Sequence, residues 1–404
     1  MAQFLISQGK NYSYENLLSE VNKNGYYPLL KTSNQFDYFC NLVKALVNDK
    51  SLILLDSDLS LSELNGIKEE DINKEEKLEA KQFSTINEML EAACRSSAHI
   101  TIFTSGTTGQ PKEVTHSVET LMRAVRRGEK YSGQVWAYAY NPTHMAGLQV
   151  FFQALFNQNL IVNVFNAGRN EVYQLIERYS ISHISATPTF YRLLAPSEKV
   201  YTSVKRVTLG GEKSDSRLYD FIHSVFPEAK INNIYASTEA GSLFAAKGDC
   251  FQIPDPLRNK FKIVDGELLI HYSLLGTSEN FHLDGEFYHS GDLVEWVNAN
   301  NGLFRFKGRV NELINVGGYK VNPIEVEAVI NSLDGVTQSL VYGRANSILG
   351  NILCAEVQME EGKVKTEREI RQYLIDRLQD YKIPRIIKFV DSFSLTRTGK
   401  LKRS

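Results

Sequence analysis

The sequence predicts an α/β fold: a large N-terminal part built on buried strands, followed by a small α+β domain of about 100 residues. Three observations carry that expectation. Short apolar runs alternate with segments of helical periodicity through most of the chain. Near Gly302 the pattern changes to helix, strand, strand, helix, strand. The 404 residues, 43% of them hydrophobic, are long enough for two or three domains with a substantial core.

The elements follow in order. The runs SLILLD (Ser51 to Asp56), AHITIF (Ala98 to Phe103) and NLIVNVF (Asn159 to Phe165) read as buried strands. The Glu/Lys run from Lys68 to Lys81 reads as an exposed helix or surface loop. Ser117 opens a helix in SVETLMRAV, and RNEVYQLIERY (Arg169 to Tyr179) reads as another. In the C-terminal part, Asn322 is the N-cap and Pro323 the first residue of one helix, and Thr366 with Glu369 fits a capping box for the second. GVTQSLVYG, NILCAEVQM and RIIKFVDSF supply the strands. No internal repeat is visible.

Composition narrows the function classes. Forty-five basic and 47 acidic side chains leave a formal charge of -2, which provides no whole-chain field for nucleic acid or an anionic membrane. Any phosphate chemistry must therefore be local. Cys40, Cys94, Cys250 and Cys354 are far apart and form no CxxC, which suits isolated, buried thiols better than a zinc site or a disulfide framework. The opening MAQFLISQGKNYSYENL lacks a basic region followed by a long apolar one, and the richest apolar stretch, VFFQALFNQNLIVNVF, is broken by Gln and Asn. The expectation is a cytoplasmic protein without a membrane span.

The stretch TIFTSGTTGQPKEVTHS (Thr101 to Ser117) concentrates hydroxyls and glycines between a strand and the helix at Ser117. Such a strand-to-helix loop can turn backbone N–H groups and hydroxyls toward one anion, with Lys112 adding a point charge. It is not Walker A, whose GxxxxGK[ST] spacing differs from that of Gly106, Gly109 and Lys112. An ordinary P-loop kinase or NTPase is accordingly disfavoured.

The full string TSGTTGxPK resembles the signature of the adenylate-forming superfamily, which includes acyl-CoA synthetases, aryl-CoA ligases, luciferases and the adenylation domains of nonribosomal peptide synthetases. Other motifs of that family follow in its order. PTHMAG (Pro142 to Gly147) resembles the carboxylate-pocket motif, GGE (Gly210 to Glu212) the adenine-side loop, and YASTEAG (Tyr235 to Gly241) the YGxTE motif. YHSGD (Tyr288 to Asp292), FKGRVNELINVGGYKVNPIEVE (Phe306 to Glu327) and TRTGKLKR (Thr396 to Arg403) resemble the ribose, hinge and C-terminal lysine motifs. The resemblance covers the chain from near residue 100 to its end.

It implies a large multi-subdomain N-terminal adenylation domain over residues 1–308 and a small mobile C-terminal domain over 309–404, with a hinge near Asn311. It also implies ATP and magnesium as cofactors, a small-molecule carboxylic acid as substrate, and a phosphopantetheine thiol as acceptor. That thiol belongs either to coenzyme A or to an acyl carrier protein. Thr104, Ser105, Gly106, Thr107, Thr108, Gly109 and Lys112 would hold the phosphates, Thr238 the α-phosphate, and Glu239 the metal. Tyr235 would lie along the adenine with Gly211 and Glu212 nearby. Asp292 would accept the ribose hydroxyls with Arg309 assisting, and Lys320 joins the nucleotide-binding set. Lys400 would enter the site during adenylation; Gly317 and Gly318 would then line a thiol channel after the C-terminal domain rotates, or serve only as a tight turn.

Some residues depart from the family pattern. Asn311 stands where Asp or Lys is usual, Glu113 follows the loop lysine in place of glycine, and Ser394 and Leu395 precede the last motif in place of Pro and a basic residue. Only about 100 residues precede the phosphate loop, so the N-terminal region reads as shortened, although YSYENLL (Tyr12 to Leu18) still resembles the family's first motif. Within PTHMAGL there is no carboxylate to meet an ammonium group, which disfavours a free α-amino acid. His144, Gly147, Gly210 and Ala236 would instead border an aryl, arylacrylic or medium-chain fatty acid. The alternatives are a non-catalytic nucleotide or acyl-adenylate binding protein, or an adenylating enzyme with a non-thiol acceptor.

Overall fold

The computed structural model describes residues 2–59, 66–104, 112–212, 214–247, 250–346, 350–395 and 401. The chain divides into two compact units: residues 1–247 with 271–283, and residues 248–270 with 284–404. The strands Phe287–Asn298 and Leu303–Arg309 thus pack within the second unit.

The first unit is built on a sheet whose strands run in the order Gly241–Lys247, Lys230–Ser237, Arg206–Gly210, His183–Ala186, Val135–Tyr138, Leu160–Asn163, Gln3–Ser7, Lys10–Ser13. The six inner strands are parallel and the two outer ones pair antiparallel to their neighbours. Successive residues of one strand enter different cores. Leu5, Tyr138 and Ile161 join the cluster under the Gln35–Val47 and Met145–Leu155 helices. Ile6, Ala137 and Val162 join the cluster under Arg169–Tyr179 and Ser216–Val225. Helices therefore cover both faces, which is why the strands read as continuous apolar runs instead of alternating ones. Each such fully buried Leu, Ile or Phe contributes about 1.5–3 kcal/mol by leaving water.

A second, smaller sheet in this unit orders Leu29–Lys31, Leu52–Leu55, His99–Thr104 and Lys112–Ser117. Its first three strands are parallel, and the fourth is antiparallel to the third with Thr104 opposite Lys112. This corrects the strand-to-helix expectation for the glycine-rich loop: residues 105–111 connect two paired strands, and the Val118–Met122 helix begins only afterwards, capped by Ser117 as expected. KEVTHS is a strand because Val114 and His116 fall on one buried face while Glu113 and Thr115 fall on the other.

In the second unit one antiparallel sheet orders Phe261–Val264, Glu267–His271, Phe287–Asn298, Leu303–Arg309 and Cys250–Gln252. A five-stranded sheet follows, ordered Tyr319–Val321, Ile314–Val316, Gly350–Met359, Val336–Asn346, with Ile386–Phe389 parallel to Gly350–Met359. The helices Pro323–Asn331 and Glu367–Ile375 pack on it through Val326, Ile330, Ile370 and Leu374. Both caps are formed as the sequence indicates: Asn322 accepts from Ile324 N at 3.1 Å, and Thr366 and Glu369 make a reciprocal capping box. Cys40, Cys250 and Cys354 are buried, but Cys94 is half-buried with its Sγ 3.3 Å from Arg127 Nη1. Among the described residues no helix is long and apolar enough to cross a membrane.

Candidate active site

Parallel strands present their carboxyl ends along one edge of the sheet, and ligands of open α/β sheets bind there, at the point where strand order reverses. Here Val135–Tyr138 has Leu160–Asn163 on one side and His183–Ala186 on the other, so the chain turns outward in opposite directions from that strand. The segments leaving this edge carry the motifs. His144 follows Val135–Tyr138 and Thr187 follows His183–Ala186; Gly210 ends one strand, with Gly211 and Glu212 next. Tyr235 and Ala236 lie near the end of the strand Lys230–Ser237, ahead of Thr238 and Glu239. Gly210 pairs with Ile234, which places the glycine pair beside Tyr235 in the sheet.

Local chemistry fixes each segment. Gly211 has φ +82°, a left-handed conformation that glycine adopts at no steric cost. The Glu212 carboxylate accepts from Thr189 N at 2.9 Å, at the start of the Pro188–Leu193 helix, where an anion suits the exposed amides. Tyr235 stacks on Phe244 at 5.6 Å and 18°.

His144 is the N-cap residue of Met145–Leu155, and its Nε2 lies 3.5 Å from Asp56 Oδ2. Asp56 ends the SLILLD run, is buried, and accepts from Asn141 Nδ2 at 2.6 Å. Burial opposes its ionisation, but His144 and Asp58 outweigh that and hold the carboxyl below its ordinary range. A carboxylate absent from PTHMAGL itself is thus brought beside His144 from 88 residues upstream. Gly147 is demanded by packing: a Cβ there would lie 2.3 Å from Asn141 O and 2.7 Å from Tyr138 Oη.

Thr238, Glu239 and Ala240 form the turn between two strands, and each of their carbonyls is held. His116 Nε2 donates to Thr238 O at 2.8 Å, Gly276 N to Glu239 O at 2.8 Å, and Arg123 Nη1 to Ala240 O at 3.2 Å. Since a carbonyl only accepts, the hydrogen of His116 sits on Nε2. Nδ1 is the bare nitrogen, buried without a partner among the described residues. Burial, with the nearby Arg123 charge adding to it, pulls His116 down to about 4 from an ordinary 6.5, against the opposing pull of the Thr238 carbonyl.

Between pH 6.5 and pH 4 an unfolded chain carries a proton on His116 that the folded chain does not, so stability falls as pH falls. The loss is about 1.4 kcal/mol per pH unit across that window, on the order of 3 kcal/mol in all. Urea unfolding at pH 7, 6 and 5 should show a shallower decline for His116→Gln than for the wild type; equal slopes would remove His116 from the acid sensitivity.

In the second unit, Asp292 and Arg309 are cross-strand partners of Phe287–Asn298 and Leu303–Arg309. Arg309 Nε donates to Asp292 Oδ1 at 2.7 Å, and the Asp292 side chain is buried while Arg309 stays accessible. Gly291 N donates to Glu267 Oε1 at 2.8 Å, and Asp292 N to Ser290 Oγ at 3.1 Å, which sets the strand's path through the motif. Gly317 and Gly318, at φ +57° and +90°, are the two central residues of a hairpin turn closed by Val316 and Tyr319. Two positive φ values in a two-residue hairpin loop are the geometry glycine serves best. Lys320 follows in the Tyr319–Val321 strand. Ser105, Gly106, Thr107, Thr108, Gly109 and Lys400 lie outside the described residues; Thr104 and Lys112 are placed by the backbone of the strands that flank the loop.

The doubly wound parallel sheet thus carries glycine, aromatic, hydroxyl and acidic residues at its carboxyl edge, where open α/β sheets bind ligands. The AMP-binding enzyme family matches residues 40–268, and the AMP-binding enzyme C-terminal domain matches residues 325–400; the chain belongs to this family. Acetyl-coenzyme A synthetase of Bacillus subtilis is 28% identical over 74% of this chain and 59% of its own length. Gramicidin S synthase 2 of Aneurinibacillus migulanus is 27% identical over 75% of this chain and 8% of its own length, so the chain spans less than two thirds of either relative. The o-succinylbenzoate coenzyme A synthetase of B. subtilis, solved with its acyl-adenylate intermediate, has the same fold with a TM-score of 0.73 at 18% identity. It covers 99% of this chain and 94% of its own. ATP-bound MatB from Rhodopseudomonas palustris superposes with a TM-score of 0.75 at 16% identity, over 99% and 94%.

Proposed function

We propose that this protein activates a carboxylic acid with ATP, forming an acyl adenylate and pyrophosphate, and then passes the acyl group to a phosphopantetheine thiol. The observation that carries the reading is the turn 238–240 at the carboxyl edge of the sheet, tied by His116 to the strand that leaves the glycine-rich loop. A carboxylate attacking a phosphate brings two anions together, so cations and donors must offset the charge that develops. Lys112, Lys400 and the loop hydroxyls suit that task, and Thr238 is placed on the held turn.

Glu239 is a single carboxylate, a donor set that fits magnesium, which commonly takes one or two carboxylates and completes its shell with phosphate oxygens and water. When bound, the metal supplies positive charge to the phosphates. Asp292, a buried carboxylate bonded to Arg309, is a group whose oxygens suit accepting from ribose hydroxyls. Tyr235 offers a flat face for adenine. The reading puts a hinge near Asn311, in the short turn Val310–Glu312, with a C-terminal domain that rotates about it; the compact second unit also takes in 248–270 and 284–308.

With no carboxylate in PTHMAGL itself and Asp56 engaged by His144 and Asn141, the reading favours an aryl or fatty acid, with coenzyme A or a carrier protein as acceptor. Incubation with ATP, magnesium, a panel of such acids and a thiol acceptor, coenzyme A or a carrier protein, tests the reading through its products. AMP and pyrophosphate are expected; ADP and phosphate would contradict it.

A further inference from the structure

We infer that His116 is a positioning residue: through its Nε2–H on the Thr238 carbonyl it aims the Glu239 carboxylate at magnesium, an inference that rests on the metal-binding reading of Glu239 given above. Three consecutive carbonyls of one turn are held by three different segments, His116 from the strand after the loop, Gly276 from 271–283, and Arg123 from the helix end. Ala240 N also donates to Ser237 Oγ at 3.2 Å, and Gly241 reverses the chain at φ +68°. With its backbone so constrained, the turn has little freedom to redirect Glu239.

The strand bearing His116 is itself anchored to the 271–283 segment. Thr115 N donates to Thr277 O at 2.9 Å, and Thr277 N to Thr115 O at 2.7 Å. The ring also has a specific seat. A Cβ at Gly276 would stand 2.6 Å from His116 Cε1 and 2.7 Å from Nδ1, so only glycine leaves room for the imidazole where it is. His116 is fully buried and does not touch the nucleotide in this reading; its effect passes through the Thr238 backbone. The strand leaving the phosphate loop and the turn presenting Glu239 are thereby held in one register. A displacement of either would separate the metal's carboxylate from the phosphates it must share.

The test reads binding instead of turnover. ATP affinity is measured calorimetrically with magnesium and with EDTA, in the full chain and in His116→Leu, His116→Asn, His116→Gln, Gly276→Ala and Glu239→Gln, each with its melting temperature. The wild type should bind ATP more tightly with magnesium. His116→Leu and Gly276→Ala should lose roughly tenfold or more of that magnesium-dependent gain, as outer-shell changes at metal sites do, while metal-free affinity stays within about twofold. His116→Gln, which keeps a donor near the Nε2 position, should retain most of the gain.

In the Glu239→Gln background, His116→Leu should cost nothing further. A His116→Leu protein that keeps the wild-type gain, or a His116→Gln protein as damaged as His116→Leu, overturns the inference. If His116→Leu yields no folded protein, His116→Asn, whose shorter amide does not reach the Thr238 carbonyl, decides the matter by the same criterion. Should Glu239→Gln lose the gain while His116→Leu keeps it, only the positioning role falls. Should Glu239→Gln keep it, the metal reading falls and takes this inference with it.

Discussion

Glu239→Gln and Lys112→Ala each lower carboxylate-dependent pyrophosphate exchange by roughly 10²–10³-fold or more, with the fold intact. In the proposed reading both changes remove a charge that acts on the triphosphate, one by holding magnesium and the other as a direct cation. Glu239 lies on a turn whose carbonyls are all bonded, so an isosteric amide there leaves the backbone network untouched. Lys112 opens a strand paired to His99–Thr104 from end to end, so that truncating it does not unpair the hairpin. Circular dichroism melts should confirm both points, and exchange within about threefold of the wild type in folded protein would remove either residue from the phosphate site.

Lys400→Ala blocks adenylation yet converts a supplied acyl adenylate to thioester, whereas Gly318→Leu does the reverse. The first change removes a charge that the proposed mechanism needs only while the carboxylate attacks, an effect on the order of 10²-fold or more. The second places a branched side chain on the hairpin proposed to border the thiol channel. Around Gly318 nothing lies within 4 Å of an added Cβ, so the side chain itself would fit, but φ +90° is a conformation that leucine adopts only with strain. Gly318→Asn, which tolerates left-handed backbone better, is the control that separates strain from obstruction. Exchange and thioester formation are followed separately in each variant, with coenzyme A and then carrier protein as acceptor. Equal loss of both steps in both variants would end the alternation model.

The parts of the fold written in local chemistry were legible from the sequence. Asn322 with Pro323 and Thr366 with Glu369 mark helix starts through contacts no more than three residues apart, and Arg169–Tyr179 matches its periodic run from end to end. The Lys112–Ser117 strand was not legible, because its polar sequence earns a place only by pairing with His99–Thr104. Motif order marked Gly210, Tyr235 and Thr238, which lie at the carboxyl edge of the first unit's sheet, and Asp292 and Arg309, which pair across two strands of the second. Asp56 and His116 were missed because their roles arise across the fold: Asp56 meets Asn141 over 85 positions and His116 meets Thr238 over 122. The available signal was faint. An Asp ending an apolar run and a His alternating with Val114 in a strand are each more often mere surface or core residues.

Carboxylate-dependent exchange of labelled pyrophosphate into ATP tests the central claim most directly, because it reports the first half-reaction without requiring the acceptor thiol. Run with magnesium over aryl, arylacrylic and medium-chain fatty acids, the wild type should show exchange that depends on the acid, is strongest for one class, and disappears in Glu239→Gln. Exchange absent with every acid from a protein that binds ATP, or exchange indifferent to the acid supplied, would contradict it.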